Sequence, residues 1–414
     1  MKSSAATARQ ANTKRQPRLA AAALFVCLLL AGCMPKPPDA CSWLAGAVDS
    51  RPGGATFLAS YPTAGPGPLQ GTAFLYDNAL AALALVGCDA PQKAARIGDA
   101  ILFALAHDRY WHDGRMRNAY LAGPVGRDNP VKLAGWWDKS QNRWVEDRYQ
   151  AGSDSGNMAW AMLALLALDK SAGDARYRNG AQRLAAWLTR WNTNKPPGGF
   201  TGGTFAHEPA PDIERWKSTE HNSDLAAAFG GLARAAHDRR WLAPASSAGN
   251  FAEAMWLSAC RCFAAGTGED GRTPDTLLAL DAQLFPLLAL PRAANKYGAV
   301  VATVRQRLGD AGGVAYGEAK GGLWTEGTAQ FALLEELSGS HDHAASLLTA
   351  LGRMRTANGS YYAAGSKGLS TGFTLATDPA QTRQYFHLPH LGATAWVALA
   401  ERKYDPFTQT RALP

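Results

Sequence analysis

The chain repeats one short pattern six times, and this repetition limits the folds that it can adopt. Each repeat is a polar turn that carries an acid or a histidine and runs directly into an Ala/Leu-rich segment. The six stretches are residues 75–80, 153–160, 218–224, 280–283, 324–330 and 390–396. Segments such as residues 158–168 are apolar on every side of a helix, and helices of this kind are buried. We therefore predict six buried helices.

A second set of segments carries charged residues along one helical face and apolar residues along the other. These segments are residues 90–107, 174–191, 250–265, 297–308 and 341–354, with a short helix near residues 41–48 as the sixth member. Amphipathic helices of this type cover buried ones. The alternation predicts six helical hairpins that close into a ring. We expect one domain over residues 41–405, followed by a C-terminal tail of residues 406–414.

Three phrases of the repeats carry a resemblance to known proteins. They are Asp-Ser-Gly-Asn-Met-Ala-Trp at residues 154–160, Ser-Thr-Glu-His-Asn-Ser-Asp-Leu at 218–225 and Trp-Thr-Glu-Gly-Thr-Ala-Gln at 324–330. With the hairpin count, they make the chain resemble the six-hairpin (α/α)6-toroid superfamily of bacterial glycosidases and related sugar enzymes over residues 40–405. The resemblance implies an all-α toroid with long aromatic-rich loops. It does not fix a family or a substrate.

The inner helices of such a ring begin at the same end, so the polar turns are expected to share one cup. The residues that would line this cup are Asp77, Asp154, Glu220, Asp281, Glu326 and His390. A single acid in the first turn of a helix can serve as a cap, which stabilises the helix by about 0.3–1 kcal/mol. Five acids around one cavity repel each other, and capping does not require that cost. Their convergence therefore favours a function.

Glycoside cleavage needs one protonated and one ionised carboxyl group. A helix N-terminus lowers the pKa of a carboxyl group, whereas burial and like charges raise it, so an acidic cup can supply both forms. Our first candidate for the general acid is Glu220, because its longer side chain reaches inward. Asp154 or Asp281 is the candidate base, and Glu326 is the alternative acid.

The long connection of residues 108–153 is rich in aromatic side chains, on which sugar rings stack, and loops of this length are usually functional. Residues 135–145 predict two short strands about a polar turn, which we expect to fold over the rim of the cup. A hydrophobic plug beneath a loop is the alternative. The substrate-binding candidates are Tyr76, Asp77, Trp136, Trp137, Trp144, His221, Asn222, Trp324, Gln330 and His390.

Three other functions compete with a hydrolase. A polysaccharide lyase would use a Tyr or His base, for which the candidates are His221, Tyr361, Tyr362, Tyr385, His387 and His390. An acidic cup would repel the uronates that lyases cleave. A sugar epimerase or transglycosylase would also suit the fold, and a non-catalytic glycan-binding lipoprotein would keep the aromatic residues without needing paired acids. The fold alone does not decide among these.

The N-terminus has the layout of an export signal, with a basic stretch followed by fourteen mostly apolar residues at 19–32. That run rises only about 21 Å as a helix, against a hydrocarbon core of about 30 Å, so we expect it to be cleaved. Leu30-Ala31-Gly32-Cys33 resembles the lipobox of bacterial lipoproteins. The resemblance implies a lipid on Cys33, a tether over residues 33–40 and, because Met34 follows, an outer-membrane destination.

The net charge and the spacing of the cysteines limit the kinds of ligand that we expect. The formal net charge of +8 falls to +3 once the five Lys/Arg of residues 1–32 are removed, so nucleic acid is not expected. The spacing of Cys41, Cys88, Cys260 and Cys262 fits no metal site. We expect no metal, no organic cofactor and a monomer that takes a polysaccharide or oligosaccharide.

For one pair of these cysteines the sequence does not decide whether a disulfide forms. Cys41 and Cys88 are either a bridge or two buried thiols. Cys260 and Cys262 lie two apart in a run that predicts a helix, where they would point to different faces. We therefore predict that those two do not pair with each other.

Overall fold

Helices form the frame of the molecule, and strands that are mostly very short lie in the connections between them. The computed structural model describes residues 38–365, 368–375 and 378–412. The α-helices of this part are α1 (Ala40–Asp49), α2 (Leu75–Gly87), α3 (Pro91–Ala106), α4 (Arg148–Ala151), α5 (Ser155–Ala172), α6 (Ala175–Leu188), α7 (Thr219–Ala235), α8 (Leu242–Ala254), α9 (Leu280–Ala289), α10 (Ala293–Tyr297), α11 (Val300–Arg307), α12 (Thr325–Leu337), α13 (His341–Leu351) and α14 (Leu391–Glu401).

The strands pair into small antiparallel sheets of two or three strands. They are β1 (Thr56–Phe57), β2 (Thr72–Phe74), β3 (Ala119–Leu121), β4 (Gly123–Pro124), β5 (Trp136–Asp138), β6 (Arg143–Val145), β7 (Ser153–Asp154), β8 (Gly203–Phe205), β9 (Asp212–Glu214), β10 (Lys217–Ser218), β11 (Trp256–Leu257), β12 (Cys262–Phe263), β13 (Gly266–Thr267), β14 (Pro274–Asp275), β15 (Gly309–Asp310), β16 (Gly313–Val314), β17 (Tyr361–Tyr362), β18 (Gly368–Leu375), β19 (Asp378–Phe386), β20 (Pro389–His390), β21 (Tyr404–Asp405) and β22 (Thr410–Arg411).

Six helices form an inner set, which we name the inner helices: α2, α5, α7, α9, α12 and α14. Each inner helix packs against the next one along the chain, and α14 packs against α2. Burial extends around these helices, so that every residue from 158 to 168 in α5 is buried. The six sequence repeats thus mark six buried helices, and the closed series of contacts is consistent with a helical toroid.

The outer helices are α1, α3, α6, α8, α13 and the pair α10 and α11, and each packs on the inner set. Helix α3 shows why: Ala94, Ile97 and Ile101 are buried and lie on one face. Gly98 on the same face lets α3 approach α5 closely, because a Cβ atom there would lie 2.1 Å from the Leu168 side chain. The amphipathic pattern therefore predicts most of the outer helices correctly.

One hydrogen bond recurs at the start of every inner helix. The N–H of the first helical residue donates to a carbonyl in the connection of the following repeat. The six bonds are Leu75 to Asn118, Ser155 to Gly202, Thr219 to Ala265, Leu280 to Tyr316, Thr325 to Ala363 and Leu391 to Ser60. The last bond returns to the first repeat, so the series closes on itself.

A second contact recurs at the fourth residue of every inner helix. Its side chain accepts a hydrogen bond from the N–H that lies two residues before the carbonyl just described. The six pairs are Asn78 with Leu58, Met158 with Met116, Asn222 with Phe200, Gln283 with Phe263, Thr328 with Val314 and Thr394 with Tyr361. Each connection is thus held by its own helix and by the preceding one.

Both cysteine pairs are disulfides. Cys41 is bonded to Cys88, and Cys260 is bonded to Cys262. The second bond contradicts the prediction from sequence, because α8 ends at Ala254 and residues 256–263 form a hairpin. In that turn Arg261 has a φ of +51°, which brings the flanking cysteines together. The predicted helix over residues 250–265 is wrong for the same reason.

The chain end packs into the body. The sequence predicts a tail over residues 406–414, whereas β21 and β22 pair and carry Phe407 between them. Phe407 is buried, and its ring lies 5.0 Å from that of Trp160 and 5.2 Å from that of Phe285. Residues of the tail therefore contribute to the core between α5 and α9.

The predicted signal peptide, Cys33 and the first part of the tether lie outside the described residues. Among the residues that are described, no helix combines the length and the apolar character that crossing a bilayer demands.

The recurring contacts predict a stability effect. Asn78 accepts from the Leu58 N–H at 2.8 Å and donates to the carbonyls of Leu58 and Phe74 at 3.0 Å each. Asn78→Ala leaves these buried groups without partners, so we expect the free energy of unfolding to fall by roughly 2–4 kcal/mol in urea titrations. Asn250→Ala, on an exposed position of α8, should change it by less than about 0.5 kcal/mol. Equal effects would contradict the role of Asn78.

Candidate active site

The second residue of each inner helix faces a shared region. These residues are Tyr76, Gly156, Glu220, Asp281, Glu326 and Gly392. The two glycines show how crowded the region is: a Cβ atom on Gly156 would lie 2.4 Å from the His221 ring, and one on Gly392 would lie 2.5 Å from Asp77 Oδ1. Side chains of neighbouring repeats occupy the space that a side chain at these two positions would need.

Three acids at this second position interact with one another. Glu326 raises the pKa of Glu220, and Glu220 and Glu326 both raise that of Asp281. The larger cause in each case is burial, which takes the carboxylate out of water. It brings the pKa of Glu220 to about 7 and that of Asp281 well above its usual value. The structure thus brings together three of the acids that the sequence singled out.

Asp224 joins this cluster, although it was not among the predicted site residues. It lies one turn after Glu220 on α7 and is fully buried. Burial and the carboxyl groups of Glu220 and Asp281 raise its pKa well above the usual value. The Trp160 indole N–H interacts with it, yet within the described residues no donor reaches either carboxylate oxygen with good geometry. A spacing of four residues within one helix is the only sequence signal that could have indicated Asp224.

His390 lies between two carboxyl groups. Its Nε2 is 3.1 Å from Asp77 Oδ2, and its Nδ1 is 3.2 Å from Glu326 Oε1. Burial lowers the pKa of His390, but Asp77 and Glu326 outweigh that effect and raise it to about 10. Stacking with the Tyr61 ring, at 4.3 Å between ring centres, holds the imidazole in place.

The two neighbours of His390 Nδ1 favour different protonation states of this nitrogen. The Ala393 N–H points at this nitrogen from 3.2 Å, which favours a lone pair on it. Glu326 Oε1 lies at the same distance from Nδ1 but makes no hydrogen bond of good geometry in the described part of the chain. Either the imidazole is charged and faces the carboxylate, or Glu326 keeps the proton and donates it. Because burial also raises the pKa of Glu326, both forms keep one proton between the two groups.

Asp154 lies at the start of α5, and its surroundings differ from those of Glu220, Asp281 and Glu326. Asn118 Nδ2 donates to Asp154 Oδ1 at 2.8 Å, and the Asp154 N–H donates to the Asn118 side chain at 2.7 Å. Burial raises the pKa of Asp154 to about 6, while Arg383 from β19 and the Asn118 amide oppose the rise. Asp154 also raises the pKa of Glu220. The fourth acid therefore belongs to the same region.

Glu214 and Arg383 complete the site and were not predicted. Glu214 lies on β9 and is buried, and Arg383 lies on the β18–β19 hairpin with its guanidinium carbon 4.8 Å above the Tyr149 ring. Among the described residues, no ion pair within 4.0 Å includes Arg383. Both residues come from strands rather than helix starts, so the repeated pattern carried no signal for them.

Several binding candidates contact the acids. The Tyr76 hydroxyl lies 3.4 Å from Glu326 Oε2 and accepts from Trp396 Nε1 at 2.8 Å. Gln330 is buried and interacts with Asp281. His221 lies 3.5 Å from the Ser155 hydroxyl, and burial lowers its pKa to about 4.

Other candidates have different surroundings. Asn222 uses its amide to bind the Phe200 backbone and the Ser218 carbonyl, so it fastens the helix rather than a ligand. Trp324 is buried beside Tyr316 and Tyr385, at 4.9 and 5.1 Å between ring centres. It lines the core next to Glu326.

The three tryptophans of the predicted rim form the hairpin that the sequence predicts. Trp136 pairs with Val145 and Trp137 with Trp144, and the side chains of this last pair are 55% and 56% exposed. Within the described chain, no ring contact joins Trp136, Trp137 or Trp144 to the acids. They form an exposed aromatic surface of their own.

No protein-family model matches the chain, and no curated protein sequence matches it. Solved structures do match. A glycosidase variant is 15% identical with a TM-score of 0.61, and the match covers 88% of this chain and 96% of that one. A glycosidase variant in complex with glucose is 14% identical, with a TM-score of 0.60 and the same coverage.

An α-amylase from Clostridium perfringens is 10% identical with a TM-score of 0.55, over 80% of this chain and 87% of that one. At such identities the similarity concerns the fold alone. The chain shares its fold with solved glycosidases. The described residues hold no group of three or more His, Cys, Asp or Glu side chains arranged to bind a metal ion.

The His390 centre predicts a measurable titration. Because Asp77 holds the imidazole in its charged form, Asp77→Asn should lower the pKa of His390 from about 10 toward the ordinary 6.5 by more than one unit. NMR titration of the imidazole measures this shift. The stability that the centre contributes is present below pH 6.5 and is lost as the pH rises through about 10. Asp89→Asn, at an exposed position, should leave the value unchanged, and an unshifted His390 in Asp77→Asn would contradict the pairing.

Proposed function

We propose that this chain is a glycoside hydrolase on an (α/α)6 toroid, which cleaves a polysaccharide or an oligosaccharide. The observation that carries the proposal is the convergence of Asp154, Glu220, Asp281 and Glu326 on one region, where carboxyl groups from different repeats raise each other's pKa. Hydrolysis of a glycosidic bond uses one protonated and one ionised carboxyl group. The fold shared with solved glycosidases supports the same conclusion.

Glu220 is the proposed general acid. Its pKa of about 7 keeps it protonated in weakly acidic to neutral solution, so it has a proton for the leaving oxygen. It is also partly exposed, whereas Asp154, Asp281 and Glu326 are each more than nine-tenths buried. A general acid must reach the glycosidic oxygen, and Glu220 is the acid of this group that offers such access.

Asp154 is the proposed general base. With a pKa of about 6 it is ionised where Glu220 is still protonated, so the two groups have the opposite charge states that the reaction needs. Asp281 is a weaker candidate, because burial raises its pKa well above the usual value and so favours its protonated form. Glu326 shares its proton with His390 and is the alternative acid.

Substrate contacts follow from the same arrangement. We propose that Tyr76, Asp77, His221, Gln330 and His390 bind sugar hydroxyl groups near the acids, with the edge of Trp324 behind them. The exposed faces of Trp136, Trp137 and Trp144 suit further sugar units of a longer chain.

The pKa values disfavour a lyase. A lyase base must lose its proton near neutral pH, but burial and nearby carboxyl groups raise the pKa of Tyr76, Tyr316 and Tyr385 well above 10. His221, with a pKa of about 4, is a weak base. A purely binding protein would have no use for buried acids whose burial costs stability.

Glu220→Gln tests the acid directly. We expect kcat to fall by roughly 10²–10⁴-fold, because the amide has no proton to give to the leaving group. The melting temperature should change by only about a few degrees, since the side chains have the same shape. Glu253→Gln removes a carboxylate on α8 that pairs with Lys296 outside the site, and it should keep full activity. Full activity in Glu220→Gln would remove this residue from the mechanism and favour Glu326.

The pH dependence provides a second test on the unmodified protein. kcat/KM should rise as Asp154 ionises, with a pKa of about 6, and fall as Glu220 loses its proton, with a pKa of about 7. The assay supplies neutral and acidic bacterial glycans and follows new reducing ends together with unsaturated uronate absorbance. Reducing ends without absorbance indicate hydrolysis, both signals indicate a lyase, and binding without products indicates a binding protein.

We further propose that a lipid on Cys33 holds the enzyme in the cell envelope, at the outer membrane facing the periplasm. Several acyl chains on one cysteine anchor a protein firmly. Cells grown with an alkyne-bearing palmitate analogue should label the wild-type chain. Cys33→Ser should lose the label, and Cys27→Ser, within the apolar run, should keep it. Label retained in Cys33→Ser would refute the anchor.

A further inference from the structure

Asp154 and Glu214 face each other across a glycine. Strands β7, β8 and β9 form one antiparallel sheet in which Asp154 pairs with Gly203 and Gly203 pairs with Glu214. Directly paired residues send their side chains to the same face of a sheet. With strands spaced about 4.8 Å apart, the two acids flank the glycine at a span that their side chains can close.

Gly203 keeps the space between them open. Its φ of +121° is unfavourable for other residues, and a Cβ atom on it would lie 2.2 Å from the Ser153 carbonyl oxygen. No side chain can therefore separate the two carboxyl groups, and Glu214 lowers the pKa of Asp154 as a hydrogen-bond donor would. Two carboxylates have no proton to donate, so a hydrogen bond between the two groups requires that one of them is protonated.

The surroundings assign the proton to Glu214. This residue is only 8% exposed, and its Oε2 has no donor of good geometry within the described chain. Burial and Asp154 raise its pKa to about 9, and Glu269 contributes in the same direction, while Arg383 and Trp216 oppose the rise. Asp154 instead accepts a hydrogen bond from the Asn118 amide, and Arg383 and Tyr149 also lower its pKa. Its carboxylate is therefore the better stabilised of the two.

We infer that Glu214 is a positioning residue, which holds one proton and donates it to the Asp154 carboxylate over Gly203. Its hydrogen bond keeps Asp154 ionised and fixes its orientation. This role of Asp154 as the base rests on the proposed function, whereas the shared proton does not. Glu214 does not transfer its proton to the substrate, because it acts only through its hydrogen bond to Asp154.

Two variants separate this role from general stability. Glu214→Gln keeps a donor of the same shape, so the acidic limb of kcat/KM should stay within about 0.3 pH units of wild type. Glu214→Leu removes the donor, so Asp154 becomes harder to ionise and the acidic limb should move up by about one pH unit or more. Glu269→Gln, an exposed neighbour, is the control and should leave the acidic limb unchanged.

A direct titration needs no activity. NMR of the protein labelled with ¹³C at Asp and Glu carboxyl carbons should show one carboxyl that titrates near pH 9, and this signal should be absent in Glu214→Gln. Absence of such a signal in wild type, or an unmoved acidic limb in Glu214→Leu, would overturn the inference. If the signal is lost in Glu214→Gln while the unmodified protein forms no new reducing ends from any of the glycans, the shared proton stands and the proposed function fails.

Discussion

The hydrogen bond between the first amide of each inner helix and the next connection is the constraint on which the rest of the structure depends. The first amides of a helix have no partner within it, so they are free to bind elsewhere. Here they bind the neighbouring repeat, and the bond from Leu391 to Ser60 joins the last repeat to the first. The side chain at the fourth residue holds the same connection two residues earlier. Together the two contacts fix the height and the rotation of every helix start.

This constraint explains why the site lies where it does. With the first and fourth residues engaged, the second residue is left to face the shared region, and the chain places either an acid, a tyrosine or a glycine there. The positive end of a helix stabilises a carboxylate, but burial acts in the opposite direction and prevails at Glu220, Asp281 and Glu326. The same packing that holds the helices together therefore supplies protonated acids.

Local patterns could predict most of the helices and five of the acids of the site, because periodicity and polar turns are read from neighbouring residues. They could not show whether the Asn222 amide fastens its helix or binds a ligand, since a polar residue in such a turn can do either. The Cys260–Cys262 bond was missed because the Ala-rich run before it continues a helical pattern beyond Ala254. Glu214 reaches the site through the pairing of β8 with β7 and β9, and Arg383 reaches it on the separate β18–β19 hairpin; no local pattern encodes either placement.

The charge of the site explains how so many acids can coexist. Seven carboxyl groups converge, namely Asp77, Asp154, Glu214, Glu220, Asp224, Asp281 and Glu326, and His390 and Arg383 are the cations among them. Burial raises the pKa of Glu214, to about 9, and raises those of Asp224 and Asp281 well above their usual value. Asp77 and Glu326 both interact with the His390 imidazole, and Arg383 stabilises the Asp154 carboxylate. Glu220 is then the group whose proton is gained and lost near neutral pH, which is the property that a general acid requires.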